Sequence, residues 1–477
     1  MEQAQFQTLS PEEIGRQLQA IMKSLDGGGY NNFSGGVDAL QTGAGALRPE
    51  NLDHVIKDLT FKDNMATFWK DAPKRDSKTI VTEAVTQDLG TTAGFYEDGG
   101  LPQTGTDHFA RLVRNIKFIG VQGKVTGVAN QQTLIAPAKA TETNLKTKAI
   151  IRSLDVEGLY GDSGVNERSF DGIIKQFTDN LPAGYVGQNI IDKAGAALEI
   201  EDFSDATRII ADNYGNPNNV KLWTGFGAVN EMNQALGTSK QFYVNGNGPI
   251  GGTPIGYKLG ENSGGIVTPF GAPVEIKTDV FMGKRRPMNL NQAQDATVAV
   301  GASTTAATAT AVAADESNSV LPVGSVYRYF ITTVYLDGES AAHIPADVTL
   351  HASTKQKVTI TITRTGGATE KGYRVWRLKS PSSNPLSAAV HIGNVAVAGA
   401  TTTLVDLGAV YDGTTDVFMI DWSEEVFRWD VLLYMQKFDI ASLGDYVAWI
   451  QRNWSTPFLM QPRKMVLFKN VKSYTLK

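Results

Sequence analysis

The 477-residue sequence contains no cysteine, and this absence excludes several kinds of chemistry. Disulfides, thiol nucleophiles, thiolate zinc sites and iron–sulfur clusters all require cysteine. A chain without thiols fits maturation in a reducing cytoplasm. Histidine is scarce as well, and its five residues lack the His-x-x-x-His spacing of many metal sites, so we predict no histidine metal centre. The histidines are His54, His108, His343, His351 and His391.

Charge is low and is not concentrated in a basic domain. Charged residues make up 19 % of the chain, against about 25 % in typical soluble domains. The formal net charge of −5 argues against a dedicated nucleic-acid-binding protein, which needs a basic surface to gain from counterion release. Low charge together with 48 glycines predicts many extended segments and much surface that is covered by other protein.

Long apolar runs are missing too. Two stretches lack charge, Ala296–Ala314 and Ser380–Val405, but Thr, Ser, Asn or Gly interrupt both of them. A bilayer span needs about 20 mainly apolar residues, so we predict that neither stretch is a membrane helix. The first residues, MEQAQFQTLSPEEIGRQLQ, are acidic and amphipathic, and they carry none of the features of a signal peptide.

Catalytic motifs are lacking apart from one glycine pattern. Gly246–Gly251 matches the dinucleotide fingerprint, which must open a helix that faces the pyrophosphate. Pro249 and Pro254 forbid that helix, so we interpret the segment as a Gly-rich surface loop. The sequence has no phosphate-binding Gly-x-x-x-x-Gly-Lys-Ser/Thr motif and no Gly-x-Ser-x-Gly elbow.

Two charged clusters remain as candidates for chemistry. Asp421, Glu424 and Glu425 could bind a cation or act as acid and base, but we interpret them as a solvated turn. Lys284-Arg285-Arg286 could contact nucleic acid, but three charges between two domains are more typical of a solvated linker. We therefore predict no catalytic, metal or cofactor-binding residues.

The pattern of the N-terminal part of the chain predicts two short helices joined by a glycine-rich segment. Ser10-Pro11-Glu12-Glu13 has the residues of a helix start. Helical spacing of apolar residues then predicts a helix over 11–25, a glycine-rich segment over 27–45 and a second helix over 49–59. The first helix is amphipathic and suited to dock on another surface.

Alternating segments farther along predict an extended hairpin over 79–131. Its strands are Thr79–Val85 and part of Arg111–Val128, and its tip is the polar stretch Leu89–Thr106. An isolated two-stranded ribbon is marginal in water, so we expect it to rest on another element or another subunit. The apolar side chains that would need this cover are Val113, Phe118, Val121 and Val125.

The longest helical pattern spans Leu134–Tyr160, about 40 Å at 1.5 Å per residue, and Pro137 is expected to shorten its first turn. Mixed α/β sequence follows, with helices predicted at Ser204–Tyr214 and Gly227–Leu236 and short strands in Lys240–Phe281.

The composition shifts near residue 286. Pro287–Thr414 is rich in Thr, Val and Ala, and its short strand patterns predict a β-sandwich. The predicted strands are Tyr327–Tyr335, Lys357–Thr363, Tyr373–Leu378, Val390–Val397 and Thr402–Val405. We interpret the module as an insertion into another domain. Thr278–Met282 and Thr415–Met419 repeat the same five letters on either side of it, either by chance or as two similar strands. Strands at Val426–Tyr434, Tyr446–Trp454 and Met465–Val471 then resume the earlier composition.

Several motifs carry a resemblance to a known family. Leu159-Tyr160-Gly161-Asp162 ends the long helix, and Asn166 and Ser169-Phe170-Asp171-Gly172-Ile173 follow it. The closing runs Phe458–Pro462 and Val466–Val471 belong to the same pattern. Together they resemble the major capsid proteins of tailed bacteriophages, which share the Hong Kong 97-type fold.

The resemblance implies an α+β capsid fold with an inserted all-β, Ig-like or fibronectin-III-like sandwich. Its implied parts are an N-terminal arm (1–78), an E-loop hairpin (79–131), a spine helix with peripheral domain (132–172), an axial domain (173–270), a peripheral strand (271–286), the Ig-like insertion (287–414) and a return to the peripheral and axial domains (415–477).

The implied function is structural. Copies of the chain would form hexameric and pentameric capsomers of an icosahedral shell around packaged double-stranded DNA, assembled in the cytoplasm of a host bacterium. The main partner is the chain itself, and contact with DNA would be weak and non-specific. Scaffold, portal and decoration proteins are further partner classes that the family allows, whereas a membrane is not one.

Two other classes of protein remain as alternatives. The Ig-like module would suit a secreted adhesin or surface-layer protein, but no signal peptide is visible. The Gly246–Gly251 pattern would suit an oxidoreductase, but the required helix is missing. Electron microscopy of the purified protein distinguishes shells or rings from filaments or sheets and from small discrete particles.

Overall fold

The structure, a computed structural model, describes residues 65–88, 107–131, 137–236, 273–286, 315–336, 338–364, 370–379, 388–441 and 444–473. Shorter described pieces lie at 62, 94–98, 100–101, 104–105, 257–258, 265–267, 292–293 and 306–312. The predicted helices 11–25 and 49–59, the segment 27–45, His54 and the Gly246–Gly251 pattern lie outside the described residues.

Helices occupy mainly the first half of the described chain. In order they are α1 (Phe68–Asp71), α2 (Gly127–Gln131), α3 (Ala138–Tyr160), α4 (Ile173–Asn180), α5 (Val186–Asn189), α6 (Ile200–Asp212) and α7 (Phe226–Leu236). The predicted long helix is confirmed as α3, and it begins directly after Pro137, where the missing N–H costs no intrahelical bond. The helices predicted at Ser204–Tyr214 and Gly227–Leu236 are confirmed within four residues by α6 and α7.

Strands make up most of the remainder, and together with the helices they confirm an α+β fold. In order they are β1 (Lys74–Asp76), β2 (Val81–Asp88), β3 (His108–Asn115), β4 (Lys117–Thr126), β5 (Ile190–Asp192), β6 (Val220–Thr224), β7 (Tyr257–Lys258), β8 (Gly265–Val267), β9 (Pro273–Thr278), β10 (Gln292–Ala293), β11 (Ala306–Ala311), β12 (Val326–Tyr335), β13 (Gly338–Glu339), β14 (Val348–Thr349), β15 (Val358–Thr363), β16 (Glu370–Lys379), β17 (Val390–Ala396), β18 (Thr401–Asp406), β19 (Thr414–Asp421), β20 (Phe427–Ile440), β21 (Tyr446–Leu459) and β22 (Met465–Lys472).

The long strands β20 and β21 form the centre of a sheet that packs on α3. The sheet order is β1-β20-β21-β4, with β1 parallel to β20 and the other pairs antiparallel. On the helix side, the Gln451 side chain donates to the Thr143 carbonyl oxygen over 3.3 Å, and Lys437 Nζ donates to Thr143 Oγ1 over 3.2 Å. The core between the sheet and the helices includes Phe68, Leu154, Leu159, Trp429 and Leu459.

A second, mixed sheet has the order β5-β22-β19-β6-β9-β8-β7 within the described residues. Helices α6 and α7 pack on it, and the core there includes Phe203, Ile210, Leu222, Met419 and Phe468. Strand β19 is buried on both faces, so Phe418 and Ile420 enter the first core while Val417 and Met419 enter the second. A strand buried on both faces needs the continuous apolar run that the sequence has there.

Residues 292–406 form two further sheets with a core of their own. Strands β10, β13, β12, β16 and β17 form one sheet, with β14 added to β12, and β11, β15 and β18 form the other. All five strands predicted within Pro287–Thr414 are confirmed. Alternation is clear in β15, where Val358, Ile360 and Ile362 are buried while Thr363 is exposed. The shared core includes Tyr329, Ile331, Ile360, Ile362 and Val375.

The predicted hairpin needs a correction at its second strand. Strand β2 pairs antiparallel with β3, from Val81 opposite Asn115 to Asp88 opposite His108. The chain then passes the buried Ile116 and enters β4, which belongs to the sheet with β21. The predicted strand 111–128 is therefore two strands in two different sheets, because β4 finds a long partner strand more than 300 residues later.

The repeated letters TDVFM also have two different structures, so of the two explanations left open above, chance or two similar strands, the second is wrong. The first copy is the end of β9 followed by a 3₁₀ turn over Val280–Lys284, and the second lies inside β19. The two copies nevertheless meet, since Thr415 Oγ1 donates a hydrogen bond to the Met282 carbonyl oxygen.

Candidate assembly surfaces

In the turn Leu159–Ile173 after α3, two backbone segments approach each other closely at Gly161 and Gly172. The Gly172 N–H donates to the Gly161 carbonyl oxygen over 2.9 Å, and the Gly161 N–H donates to the Glu157 carbonyl oxygen over 2.7 Å. A Cβ on Gly161 would lie 2.4 Å from the carbonyl oxygens of Glu157 and Phe170, and one on Gly172 would lie 2.6 Å from that of Leu159. Both positions therefore require glycine for space.

Next to this turn, Glu157 joins α3 to the 292–406 sheets through two arginines. Arg286 lies 2.5 Å and Arg374 3.8 Å from the Glu157 carboxylate. Arg374 also pairs with Glu339 at 2.6 Å. Burial would raise the pKa of Glu157, but the two guanidinium groups hold it below its usual value. The junction is thus a buried, charge-compensated network rather than a flexible tether.

His391 lies beside this network and carries no charge at neutral pH. Its Nε2 is 2.9 Å from Asn394 Oδ1, and its ring packs edge-on against Trp376 with centroids 5.3 Å apart. Burial lowers the pKa of His391 well below its usual value, and the positive charges of Arg286 and Arg374 lower it further. The geometry suits packing, and nothing around the ring resembles a metal or catalytic site.

The structure corrects the interpretation of both charged clusters. Arg286 is only 1 % exposed, and Arg285 pairs with Asp416 at 2.7 Å, so these residues form buried ion pairs rather than a solvated linker. Asp421 is buried at the end of β19 and accepts a hydrogen bond from the Asn216 N–H over 2.9 Å. Only Glu424 and Glu425 occupy the exposed turn that the sequence predicts.

The remaining described histidines have ordinary structural surroundings. His343 exchanges two backbone hydrogen bonds with Ile331, and His351 Nδ1 accepts from the backbone N–H groups of Ser353 and Thr354. His108 begins β3, opposite Asp88. No group of three or more His, Asp or Glu residues that could hold a metal ion exists among the described residues. Across those same residues, no helix is long and apolar enough to span a membrane.

The hairpin of β2 and β3 presents one uncovered apolar face, called here the ribbon face. Directly paired residues share a face of a sheet, and the pairs Glu83–Val113, Val85–Arg111 and Gln87–Phe109 all lie on this side. Val85 is 69 % exposed and Phe109 68 %. The ion pair between Arg111 and Glu83 lies between the apolar side chains.

The opposite face of the hairpin is held by the subunit itself. Thr82 Oγ1 donates a hydrogen bond to the buried Asp430 on β20, and Arg114 lies 3.6 Å from Asp171 in the motif turn. These contacts fix the base of the hairpin. Among the described residues, the subunit thus holds one face of the hairpin at its base, while Val85 and Phe109 on the ribbon face remain exposed.

A second exposed apolar area, called here the sheet face, lies on the side of the β20–β21–β4 sheet away from α3. Phe118 is 58 % exposed, and its ring meets Trp454 edge-on at 5.2 Å between centroids. The Arg452 guanidinium lies 4.0 Å from the ring centroid of Phe438 and 4.9 Å from that of Trp454. Arginine flanked by aromatic rings is typical of the residues that dominate protein interfaces.

The Phe118 and Val125 predictions change with this placement. Both residues belong to β4 rather than to the hairpin, and Val125 is buried within its own subunit. Val121 packs partly against the first core, so of the four residues predicted to need a partner only Val113 lies on the ribbon face.

Sequence reasoning missed Arg452 and Glu157. The spacing Arg452-x-Trp454 within a predicted strand was an available signal, because alternate residues of a strand share a face. Glu157 had no comparable signal, since its two arginine partners come from distant parts of the chain.

Comparison with known proteins gives one similarity in sequence and many in structure. No protein-family model matches the chain. A putative major capsid protein of Enterococcus phage phiEF24C is 24 % identical over 464 residues, which are 96 % of each chain. The capsid of a native GTA particle covers 92 % of this chain and 100 % of its own, with 9 % identity and a TM-score of 0.45. The capsid of Cyanophage P-SCSP1u covers 93 % and 97 %, with 9 % identity and a TM-score of 0.45. In sequence, the chain is thus similar over nearly its full length to a protein described as a phage major capsid protein.

Proposed function

We infer that this chain is a major capsid protein, a structural protein that forms the icosahedral head of a phage. Its place is the capsid shell of the virion, and it acts by assembly rather than by catalysis. The observation that carries this function is the similarity to the Enterococcus phage protein, which extends over 96 % of both chains.

We propose that the ribbon face and the sheet face meet between copies of the chain in the capsomers. The two surfaces lie at the two ends of the same hairpin, because β4 and Phe118 begin just after its base. Eight residues of strand extend the hairpin by roughly 27 Å at 3.4 Å per residue. We propose that the far end of the strands, at Asp88 and His108, reaches the sheet face of the next subunit in a ring.

Charge supports the same pairing. The segment from Asp88 to Asp107 contains four carboxylates and no lysine or arginine. The sheet face offers Arg452 and Lys124, the latter 3.9 Å from the ring centroid of Tyr446. A head-to-tail contact between two different surfaces generates closed rings when the rotation closes, as hexamers and pentamers require.

We also propose that Pro287–Thr414 is an Ig-like insertion within a Hong Kong 97-type subunit. Support comes from the two antiparallel sheets of residues 292–406 and their own core. Further support comes from the two ends of the segment, which lie together: Arg285 pairs with Asp416 at 2.7 Å across the chain crossings. An insertion with adjacent ends leaves the host fold continuous. The remaining division into arm, E-loop, spine helix, peripheral and axial domains is part of the same proposal.

The other proposed partners follow from assembly. Packaged double-stranded DNA would contact the shell weakly, in keeping with the net charge of −5. Scaffold, portal and decoration proteins are the further partner classes proposed for a shell of this kind. Assembly would take place in the cytoplasm of the host bacterium.

Electron microscopy of the purified full-length chain tests the function. We expect closed shells or capsomer rings, with a sedimentation profile dominated by large particles. Filaments or flat sheets would instead favour a surface-layer protein, and small discrete particles at every concentration would contradict assembly altogether.

A further inference from the structure

Two carboxylates meet behind the segment Thr67–Trp69, where the chain leaves its N-terminal 64 residues. Asp155 lies on α3, Asp279 directly follows β9, and both side chains are 0 % exposed. The Trp69 N–H donates to Asp155 Oδ1 over 2.7 Å, and the Thr67 N–H donates to Asp279 Oδ2 over 2.8 Å. The carboxylates therefore hold the backbone of this segment from two sides.

Phe68, at the centre of the segment, anchors it in the first core. Its side chain is fully buried, with ring centroids 5.3 Å from Trp223 and 5.6 Å from Phe427. The N–H of Phe68 adds a further hydrogen bond to Asp279 Oδ2 at 3.1 Å. Backbone and side chain are thus fixed together, and release of the carboxylate contacts would weaken both.

The two carboxylates differ in how well their oxygens are satisfied. Asp279 accepts the two bonds described, a third from the Phe281 N–H over 2.8 Å and a long one from Thr67 Oγ1. Asp155 Oδ2 is buried and accepts no hydrogen bond within the described residues. A buried carboxylate oxygen without donors strongly disfavours the charged form, whereas several N–H donors favour it. Asp279 therefore suits the ionised form and Asp155 the protonated form.

Burial raises the pKa of Asp279, but the backbone N–H groups of Phe281, Thr67 and Phe68 oppose that shift. Burial raises the pKa of Asp155 well above its usual value, and the charge of Asp279 raises it further. Lys70 and Lys74 oppose this shift from the segment itself. The partly buried Tyr160 lies near Asp279 and the Arg285–Asp416 pair.

We propose that Asp155 and Asp279 form a proton-dependent latch, in which a proton on Asp155 keeps Thr67–Trp69 fixed to α3 and loss of that proton loosens the segment. The latch regulates how firmly Thr67–Trp69 is held against α3 and the residues after β9. It does not depend on the proposed capsid function, since every contact lies within one chain.

The sign of the pH dependence follows from linkage. A carboxyl group whose native pKa is raised binds its proton more tightly in the closed latch than in the open one. The stabilisation of the closed latch by this proton is complete below pH 3.8, the ordinary pKa of an aspartate side chain. It is lost as the pH rises to the native pKa of Asp155. Over that interval, the opening constant of the segment rises about tenfold per pH unit for one proton.

Hydrogen exchange of the full-length chain between pH 5 and 9 tests the latch. We expect the opening constant of peptides covering 65–72, corrected for intrinsic exchange rates, to rise with pH and then level off. In Asp155→Asn, which keeps an acceptor for the Trp69 N–H but does not titrate, we expect the opening constant to stay constant within about twofold over the same range. The exposed Asp179→Asn on α4 is the matched control and should keep the wild-type profile.

An unchanged pH profile in Asp155→Asn, or a flat profile in the wild type, would overturn the proposal. Infrared spectroscopy of the wild-type chain with labelled aspartate decides the case if the variant does not fold. A protonated carboxyl band that persists at pH 7 supports the latch, and its absence contradicts it.

Discussion

At the scale of single residues, this protein buries charge where a partner of opposite sign is available. Arg286, Arg374, Glu157 and Glu339 neutralise one another between α3 and the 292–406 sheets, although they come from distant parts of the chain. Removing one charged side chain from such a network typically destabilises the protein strongly, because its former partner is left buried without a compensating charge. His391 lies beside these arginines, and burial together with their positive charges lowers its pKa well below the usual value.

His391 makes the stability of the protein sensitive to mild acid. Its native pKa lies below the ordinary 6.5, so below that pH the unfolded chain takes up a proton that the folded chain refuses. We expect the free energy of unfolding to fall by up to about 1.4 kcal/mol per pH unit below 6.5, until the native pKa is reached. Asn394, Trp376, Arg285, Arg286 and Arg374 are the groups that face the ring.

Urea unfolding of the wild type and His391→Gln between pH 5 and 8 measures this effect. Glutamine does not titrate, so we expect the wild type to lose more stability on acidification than the variant. His351→Gln, at an exposed histidine, serves as the control and should follow the wild type. Identical pH profiles for all three proteins would mean that His391 is not linked to folding.

Gly161 is expected to be intolerant of any side chain. A Cβ there meets two carbonyl oxygens at 2.4 Å, and backbone atoms have no rotamer by which to move away. We expect Gly161→Ala to lower the free energy of unfolding by about 1–3 kcal/mol, the usual effect of overpacking. Gly187, whose Cβ would meet nothing within 4 Å, provides the control Gly187→Ala, which should not destabilise. Equal stability of the two variants in urea would contradict the close approach.

At the scale of elements, the two faces of the hairpin of β2 and β3 have different surroundings. One face is bonded to Asp430 and Asp171 of its own subunit, and the other face is open. Burial of one Val or Phe side chain is worth about 1.5–3 kcal/mol. In the assembly proposed above, the gain repeats at every copy in the shell, so we expect the open face to affect assembly far more than the stability of one subunit.

Phe109→Ser is therefore expected to prevent or weaken assembly without unfolding the subunit. The free energy of unfolding of the variant subunit, measured by thermal unfolding, should stay within about 0.5 kcal/mol of the wild-type value, as for other substitutions at exposed positions. Sedimentation should show that large particles are lost or dissociate at lower temperature. Thr308→Ser, at an exposed position of β11, is the control and should assemble normally. A Phe109→Ser subunit that loses its fold would place Phe109 in the core of its own chain.

Phe118→Ala is expected to act more weakly on assembly than Phe109→Ser. Its ring already packs on Trp454 of the same subunit, so part of the apolar gain is made before any second copy binds. A small loss of subunit stability should accompany the loss of assembly, and thermal unfolding with sedimentation separates the two. An assembly defect larger than that of Phe109→Ser would reverse the ranking of the two surfaces.

At the scale of the whole molecule, the 287–414 segment is expected to be removable. Arg285 and Asp416 already join the chain on the two sides of it, and the seven-stranded sheet takes nothing from it except the start of β19. We expect a chain lacking Pro287–Gly413, with a short linker, to fold and to assemble. Its melting temperature should be lower, because Arg374 no longer covers Glu157. Circular dichroism and electron microscopy check both outcomes, and an unfolded product would mean that the segment is part of the shared core.

The sequence by itself determined the elements whose signal is local. The strands within 326–406 follow from the alternation of apolar and polar residues, and α3 follows from helical spacing and Pro137. Both patterns involve only residues that are neighbours in sequence, with a period of 2 in a strand and 3.6 in a helix. The glycines of the family motif could also be recognised from the sequence. Their reason became clear only when Gly161 and Gly172 were found in contact.

Only the tertiary structure decided which segments pair and which charges are buried. Strand β4 looks like a continuation of β3 in sequence, but it pairs with β21, whose residues come more than 300 positions later. Arg286 looks like part of a solvated linker until Glu157, 129 positions away, is placed beside it. Pairing and burial depend on contacts between distant segments, and the pattern of any one segment does not contain them.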